Sequence, residues 1–301
     1  MLDVASILLP LNGASTDGSA LSLGLALARR FPAHLQALHI GVDGREVTPL
    51  AGEGLSGAMV EEMMTAAARE AGRRLTGARA LFDQALAAEN AGDPGSPVIL
   101  LDRTPARNAG EERRASVGFR AVVGRTHDLV AHAARLSDLI VVPHPVAADA
   151  VSSSEALHAV LFDSGRPVVI APRRAPDTIG RRICIGWNGT AEGASAVLSV
   201  LGWLGDAEAV QVLHADEYQR RGPVAAELLE YLAAHGVHAD VAKFRPVKGE
   251  VGAGLLAAAA AFGADMLAMG AYSHSRLRQL ILGGVTRHVL AHAELPVLMA
   301  R

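Results

Sequence analysis

The sequence predicts an α/β protein built from two doubly wound, parallel-sheet domains that pack against each other as a pseudo-dimer. Three observations support this: the two halves of the 301-residue chain repeat each other, the predicted strands are short and wholly apolar, and helical segments alternate with them. Apolar strands of this kind lie in parallel sheets that are buried on both faces, and right-handed helical crossovers connect them.

The repeat is visible in three pairs of segments. "SILLPLNGAS" near the N-terminus and "RICIGWNGTA" in the second half each join an apolar run to Asn-Gly and a small-residue turn. In each half the next predicted strand ends in a histidine, His39 or His214. Further on, "RLSDLIVVPHP" corresponds to "AFGADMLAMGAY", which aligns Asp138 with Asp265, and "SGRPVVIAP" corresponds to "AELPVLMA". The two halves are therefore tandem copies.

Within each copy we predict the order strand, helix, strand, helix, strand, helix, strand. The last strands, in "RPVVIAP" and "LPVLMA", are expected to pair with each other, because an exposed apolar edge invites pairing. The first copy also contains an insertion, with a helix from Val60 to about Ala91 followed by an irregular segment. The domain boundary falls in "PRRAPDTIGRR", so that residues 1–175 form the first domain and residues 181–301 the second.

One long apolar stretch, Val251–Tyr272, has a single charge, Asp265. We interpret it as a helix that ends near Phe262, a C-terminal cap at Gly263, and a buried strand "DMLAMG", rather than as a membrane span. The N-terminus lacks the basic and apolar regions of a signal peptide. We therefore expect a soluble, cytoplasmic protein with no membrane partner.

Composition excludes several other classes of protein. Half of the residues are hydrophobic and the formal net charge is −3, which argues against a nucleic-acid-binding protein with a large basic surface. Cys184 is the only cysteine, so no internal disulfide can form. Because it lies in the apolar run "RICIGW", we expect a buried, inert thiol.

The segment most suggestive of chemistry is "MGAYSHSRLRQLILGG", residues 269–284. A glycine-rich turn from a strand into a helix lets backbone N–H groups approach a polyphosphate, and the helix N-terminus favours an anion. Arg276 and Arg278 add cations that can pair with phosphate oxygens. The alternative is that the glycines only form the turn and the arginines only form a solvated edge. The sequence leaves both interpretations open.

These residues resemble those of the tandem universal stress proteins (UspA-like), and the resemblance covers nearly the whole chain. That family's loop pattern is Gly-x2-Gly-x9-Gly-Ser/Thr; here Ser273 stands at the second glycine and Gly284 at the closing Ser/Thr. The resemblance implies Rossmann-like domains similar to the adenine-nucleotide alpha hydrolases. It also implies a stress-response or signalling module that binds ATP or another adenine nucleotide, with Mg²⁺, in the C-terminal half.

The resemblance places the binding residues around this loop and at the ends of two earlier strands. The first strand ends in Asn188, where the family commonly has aspartate, and the backbone near Ala215 would meet the adenine. An asparagine has no charge to hold a ribose or a metal, and Asn-Gly is also ordinary turn chemistry, so its role stays open. The complete expected set is Asn188, Ala215, Met269, Gly270, Ser273, Arg276, Gly283, Gly284, Val285 and Thr286.

The first half departs from the pattern at the corresponding loop, where Pro143, His144 and Pro145 replace the glycine region. Prolines remove N–H donors and glycine flexibility together, so a backbone phosphate site is not expected there. Asn12, the counterpart of Asn188, is interpreted as turn chemistry. "SSSE", Ser152–Glu155, is interpreted as a helix cap rather than as catalytic serines.

No catalytic set emerges from the remaining residues. His288 and His292 have the i, i+4 spacing of a metal pair, but without a third ligand they are interpreted as surface or interface histidines. His39 and His214 are expected to be hydrogen-bonded residues at the sheet edge. Three functions stay open: a nucleotide-responsive module that changes its preference for an unknown protein partner, a ligand-free interaction scaffold, and, third, a slow ATPase. A further homodimer is compatible with each.

Overall fold

The computed structural model describes residues 3–11, 13, 15–41, 57–105, 112–145, 150–271 and 284–301, with the backbone only at 150–154. The elements of the N-terminal half are β1 (Ser6–Leu11), α1 (Asp17–Arg30), β2 (His34–Gly41), α2 (Gly57–Gly92), β3 (Ile99–Leu100), β4 (Ser116–Val123), α3 (Thr126–Ala134), β5 (Leu139–Val142), α4 (Ala150–Asp163) and β6 (Val168–Ile170). Those of the C-terminal half are β7 (Arg182–Gly186), α5 (Ala191–Leu204), β8 (Ala209–His214), α6 (Ala225–Ala234), β9 (Asp240–Lys243), α7 (Val251–Phe262), β10 (Met266–Gly270), α8 (Gly284–His292) and β11 (Val297–Ala300).

The strands of both halves form one continuous sheet in the order β3-β4-β2-β1-β5-β6-β11-β10-β7-β8-β9. Within each half every described pairing is parallel, and the strand order runs outward in both directions from the first strand. The predicted α/β class with doubly wound parallel sheets is therefore confirmed.

The halves join through their last strands, as the sequence predicts. β6 and β11 pair antiparallel, with Val169 opposite Leu298 and Ile170 opposite Val297. Each strand thereby covers the edge of the other half-sheet, which would otherwise expose unpaired backbone groups. Because this pair is antiparallel, the strands of the two halves run in opposite directions. The carboxyl edges of the two half-sheets consequently lie at opposite ends of the sheet.

Helices cover both faces of the sheet, and each face buries one apolar core that spans both halves. One core joins residues of α1, α2, α5 and α6 to the sheet, and the other joins residues of α3, α4, α7 and α8. The period-2 alternation of the strands explains the division: Leu9 contributes to the first core and its neighbour Leu8 to the second. The result is a three-layer structure.

The repeat extends to hydrogen bonds that fix the first strand of each half. In the N-terminal half, Oδ2 of Asp138 accepts hydrogen bonds from the backbone N–H groups of Ala5 and Ser6, both at 2.9 Å. In the C-terminal half, the Asp265 carboxylate accepts them from the backbone N–H groups that precede and begin β7, at 3.1 and 2.9 Å. An ionised acceptor makes these bonds stronger than neutral ones. The aligned aspartates therefore anchor strands rather than take part in a ligand site.

Several details of the sequence prediction are confirmed and others are wrong. Helix α7 ends at Phe262, and Gly263 forms the left-handed cap with φ of 71°. Among the described residues, however, the N-terminal half has two strands more than the predicted order, and the C-terminal half has one strand and one helix more. The extra strand β9 escaped prediction because "DVAK" is a largely exposed edge strand without an apolar run. Ser152–Glu155 does not cap a helix, because α4 already begins at Ala150.

Among the described helices, none combines the length and the apolar character that crossing a membrane requires. The longest, α2, has 36 residues but buries only Ala78 and Phe82. The apolar stretch that ends in β10 is divided between a helix and a buried strand, as expected from the glycine between them.

The junction between the halves can be tested with a matched pair of leucines. Leu298 is fully buried opposite Val169, whereas Leu198 on α5 is 58% exposed. We expect Leu298→Ala to lower the free energy of unfolding by about 2–5 kcal/mol, because it removes buried methyl groups and leaves a cavity. Leu198→Ala should change it by less than about 0.5 kcal/mol. Urea unfolding followed by circular dichroism measures both, and equal losses would contradict the assigned junction.

Candidate functional site

The candidate site lies at the carboxyl edge of the C-terminal half-sheet, where three adjacent strands end at the same level. Gly186 of β7 lies opposite Leu213 of β8 on one side and Met269 of β10 on the other. The residues that follow these strands, including Asn188 and Ala215, therefore share one edge. In doubly wound sheets this is the edge at which ligands bind.

Asn188 is buried, and its amide oxygen organises the turn into α5. Its Oδ1 accepts hydrogen bonds from the backbone N–H and the hydroxyl of Thr190, at 3.2 and 2.9 Å. The Thr190 hydroxyl in turn caps α5 by accepting from the N–H of Gly193 at 3.2 Å. The sequence left two roles open for Asn188, contact with a nucleotide and stabilisation of the Asn-Gly turn. The structure shows the second of these roles. Its carbonyl also accepts from the N–H of Arg220 at 2.8 Å.

Two glycines let the loop after β8 touch the turn after β7. Gly189 has φ of +77°, and a Cβ there would lie 2.6 Å from Nε2 of Gln219 and 2.9 Å from the carbonyl oxygen of Pro223. A Cβ on Gly222 would lie 1.9 Å from the carbonyl oxygen of Gly189. No side chain fits between these backbones. The loop is thereby anchored beside Asn188, where the sequence alone showed only an Asn-Gly turn.

Ala215 lies directly after β8 with its side chain fully buried. Its carbonyl oxygen accepts hydrogen bonds from the N–H groups of Tyr218 and Gln219, at 3.0 and 2.9 Å. The expected contact with a base would therefore have to involve other backbone groups of this turn, because the carbonyl already accepts two bonds.

Met269 and Gly270 end β10, but the structure gives each a packing role. The Met269 side chain is buried in the core beneath the edge. A Cβ on Gly270 would lie 2.5 Å from the backbone nitrogen of Gly193 and 2.7 Å from the carbonyl carbon of Glu192. The first turn of α5 thus lies directly on Gly270, and only glycine permits that approach. The glycine that the sequence assigned to a phosphate loop is required by helix packing in any case.

Helix α8 contributes the remaining described residues of the expected set. It begins at Gly284, one residue before the predicted start at Val285. Gly284 is exposed, and a Cβ there would meet no heavy atom of the described residues within 4 Å, whereas Thr286 is buried. Because α8 connects the carboxyl end of β10 to the start of the parallel strand β11, its N-terminus faces the candidate edge. Free N–H groups in the first turn of a helix favour an anion.

The rest of the expected loop lies outside the described residues. This applies to Ser273, Arg276, Arg278 and Gly283, and also to Asn12 in the first half. The structure therefore brings together Asn188, Ala215, Gly270 and the start of α8, and the arginines and inner loop positions stay predictions.

In the N-terminal half, the corresponding edge is arranged differently. His144 is buried, its carbonyl oxygen accepts from the Thr16 hydroxyl at 2.9 Å, and its Nδ1 lies 3.0 Å from the carbonyl oxygen of Pro145. Burial, with a smaller effect from the nearby charge of Arg173, lowers the pKa of the His144 imidazole. These contacts tie the His-Pro segment to the start of α1.

The inserted helix α2 crosses the same edge. Cγ of Arg74 lies 3.7 Å from the position of a Cβ on Gly13, so α2 rests over the turn that follows β1. His39 is hydrogen-bonded as expected, with Nδ1 3.1 Å from the Leu11 carbonyl oxygen. Burial is the main reason that the pKa of His39 is lowered, and the charge of Arg74 adds to the effect.

The other groups singled out by the sequence are structural. The His288 and His292 rings stack with centroids 4.3 Å apart, and Nδ1 of His292 lies 2.9 Å from the His288 carbonyl oxygen. Within the part of the chain that the structure describes, no three potential metal ligands come together. Cys184 is fully buried, and burial raises the pKa of its thiol to about 12, which keeps it protonated and unreactive.

The sheet order and the arrangement of helix starts at one edge define the class of protein, a doubly wound α/β protein made of two repeated halves. Residues 188–301 match the Universal stress protein family, and no curated protein matches the chain in sequence. A universal stress protein from Archaeoglobus fulgidus is similar in structure at 14% identity, over 98% of this chain and 97% of its own, with a TM-score of 0.63. A putative universal stress protein from Pseudomonas aeruginosa is similar at 16% identity, over 99% and 93%, with a TM-score of 0.51.

Residues 188–301 thus carry the match to the universal stress protein family, and the chain as a whole has the fold of these proteins. The resemblance drawn from the sequence is confirmed. These similarities concern the family and the fold, and they do not identify a ligand of this chain.

The turn beside Asn188 can be tested by adding a single methyl group. We expect Gly189→Ala to lower the free energy of unfolding by about 2–4 kcal/mol, because alanine is strained at positive φ and its Cβ meets two polar atoms. The matched control is Gly284→Ala at the start of α8, where the Cβ meets none of the described residues and should change the free energy of unfolding by less than about 0.5 kcal/mol. Chemical unfolding of both variants measures these changes. If Gly189→Ala leaves the free energy of unfolding unchanged, the two loops are not in contact.

Proposed function

We propose that the chain is a stress-response or signalling module whose C-terminal half binds ATP or a related adenine nucleotide and thereby changes its preference for a protein partner. The observation that supports this most directly is the convergence of Asn188, Ala215 and the N-terminus of α8 on the carboxyl edge of one half-sheet. The family resemblance implies a nucleotide contact for each of these groups: the start of α8 follows the loop, and Asn188 and Ala215 follow two earlier strands.

The phosphates would lie at the start of α8. The first-turn N–H groups of Gly284, Val285 and Thr286 and the helix dipole favour an anion there. The loop that leads into this turn carries Arg276 and Arg278 in the sequence, which add charge-assisted donors. Asn188 is neutral, so the turn after β7 places no carboxylate against the phosphates.

Magnesium would enter as the counter-ion of the nucleotide. The family's aspartate is replaced by Asn188, and its Oδ1 already accepts two hydrogen bonds from Thr190. We therefore assign no magnesium ligand to the protein at this turn. Mg²⁺ commonly keeps several waters and is held mainly by substrate phosphates, which is compatible with this arrangement.

One observation favours the second candidate, a ligand-free interaction scaffold. The contact between Gly270 and the first turn of α5 explains the glycine without any ligand, and the capping of α5 explains Asn188 in the same way. In that case the loop of residues 269–284 has only a structural role and binds no ligand. The two candidates differ in one measurable property, saturable binding of a nucleotide.

Restoring the family pattern separates the two candidates. The triple variant Ser273→Gly, Gly284→Ser, Asn188→Asp should tighten ATP binding about tenfold, which corresponds to about 1.4 kcal/mol. The described residues accommodate two of these changes: a Cβ at Gly284 meets none of their atoms within 4 Å, and an aspartate can accept the same hydrogen bonds from Thr190. Equilibrium titration with a labelled ATP analogue, at constant salt and Mg²⁺, compares the variant with the unaltered protein.

The control for this experiment is the folding of the variant, checked by its unfolding transition. If the triple variant folds normally and neither protein binds the analogue saturably, the scaffold function replaces the proposed one.

The loop arginines provide an independent test. Replacing Arg276 and Arg278 together by alanine should weaken ATP binding by about 1.5–3 kcal/mol for each charge-assisted hydrogen bond that is lost. The matched control replaces Arg69 and Arg103, two exposed arginines of the N-terminal half, and changes the net charge equally. Affinity and its salt dependence are measured for both double variants. Equal, small effects would mean that Arg276 and Arg278 form only a solvated edge.

A further inference from the structure

An open apolar groove separates α5 from α6 on the outer face of the C-terminal half. Its volume is about 540 Å³, and its lining includes Trp187, Leu198, Pro223, Glu227, Leu228 and Tyr231. Pockets that hold small molecules typically measure about 300–1,000 Å³ and are mostly apolar with a few polar groups. The groove has the size and the lining of a small-molecule site.

The floor of the groove is fixed and its walls are exposed. Trp187 and Leu228 are almost fully buried, and the Trp187 indole N–H donates to the Pro223 carbonyl oxygen at 2.9 Å. Leu198 and Tyr231 are 58% and 42% exposed. The base of the groove is thus held in place, and an apolar molecule above it would cover the exposed side chains of Leu198 and Tyr231.

The first half of the repeat closes the corresponding position. Gly18 of α1 and Ala194 of α5 each lie six residues after the repeated asparagine. At Gly18 the gap is filled, because Cδ1 of Leu81 on α2 lies 3.7 Å from the position of a Cβ. At Ala194 the same helix position lines the groove instead. The groove is therefore a feature of the second copy and not of the fold.

The charges on the two helices that wall the groove are all negative, whereas the loop before α6 carries Arg220 and Arg221 outside the lining. Helix α5 carries Glu192, and α6 carries Glu227 and Glu230, while neither helix contains a lysine or an arginine. Glu227 lines the groove itself, and its Oε2 accepts from the backbone N–H of Val224 at 2.8 Å, which holds the carboxylate at the wall. The site therefore favours a cation.

We propose that this groove binds a small amphiphilic cation, an aromatic or alkyl amine, with its apolar body on Trp187 and its ammonium group facing Glu227. The volume suits such a molecule and is too small for a docked helix, whose diameter with side chains is about 10–12 Å. The aromatic rings of Trp187 and Tyr231 add an attraction for an ammonium group. This site is independent of the proposed nucleotide function.

The experiment uses 4-phenylbutylamine, with 4-phenylbutanol as the neutral analogue and 4-phenylbutyrate as the anionic one. Calorimetry and tryptophan fluorescence follow the titration of the full chain. Trp187 is expected to report binding because it lines the groove, whereas the other tryptophan, Trp203, packs against Phe31 and Arg30 outside the lining. The amine should bind with one saturable site, the alcohol about fivefold more weakly, and the carboxylate more weakly still.

Two variants locate the site. Glu227→Gln keeps a side-chain acceptor for the helix cap and should remove the preference for the amine over the alcohol. The matched control Glu230→Gln makes the same charge change on the same helix, outside the groove lining, and should leave the preference intact. Ala194→Leu imitates the leucine that fills the first half and should abolish binding of both the amine and the alcohol. Its unfolding transition confirms that the exposed position tolerates the change.

Three results would overturn the proposal. Equal binding of amine and alcohol to the unaltered protein would remove the cation preference. Undiminished binding to the Ala194→Leu variant would place the ligand elsewhere. Failure of the amine to bind saturably at all would show that the groove is not a site for such cations.

Discussion

The antiparallel pairing of β6 with β11 is the constraint on which the rest of the molecule depends. Each half has an apolar last strand that would otherwise be an exposed edge, and the pair removes both edges at once. It also merges the two half-sheets, so that each apolar core runs through both halves. Because the pair is antiparallel, the carboxyl edges face opposite ends of the sheet. The two carboxyl edges are consequently separate places on the molecule.

The repeat is conserved within the chain where it supports the sheet and differs where it meets solvent. Asp138 and Asp265 hold the first strands of their halves with the same pair of hydrogen bonds. At the carboxyl edges the halves diverge: one is crossed by α2 and carries a buried His-Pro segment, whereas the other has Gly270 and the start of α8. These charge-assisted hydrogen bonds fix the first strand of each half, so the anchors are constrained while the edges are free to differ.

Two residues of the candidate site, Gly270 and Asn188, have both a functional and a structural explanation. The loop pattern pointed to Gly270 as a place where a phosphate approaches the backbone, and the structure finds the first turn of α5 at that place. Similarly, Asn188 is both the counterpart of a family aspartate and the organiser of a helix cap. Packing alone accounts for these two residues, so the nucleotide proposal depends on the start of α8 and on the loop arginines.

The sequence by itself determined the repeat and the parallel α/β class, because apolar periodicity and turn residues are local signals. It also indicated the pairing of the last strands, because each is an apolar edge that would otherwise be exposed. It missed β9, whose exposed edge position leaves no apolar run. Only the tertiary structure decided that α5 lies on Gly270, that α2 crosses the first half, and that a groove opens beside Trp187. Each of these depends on contacts between residues distant in sequence, whose distances are set by how helices pack on the sheet and not by any local pattern.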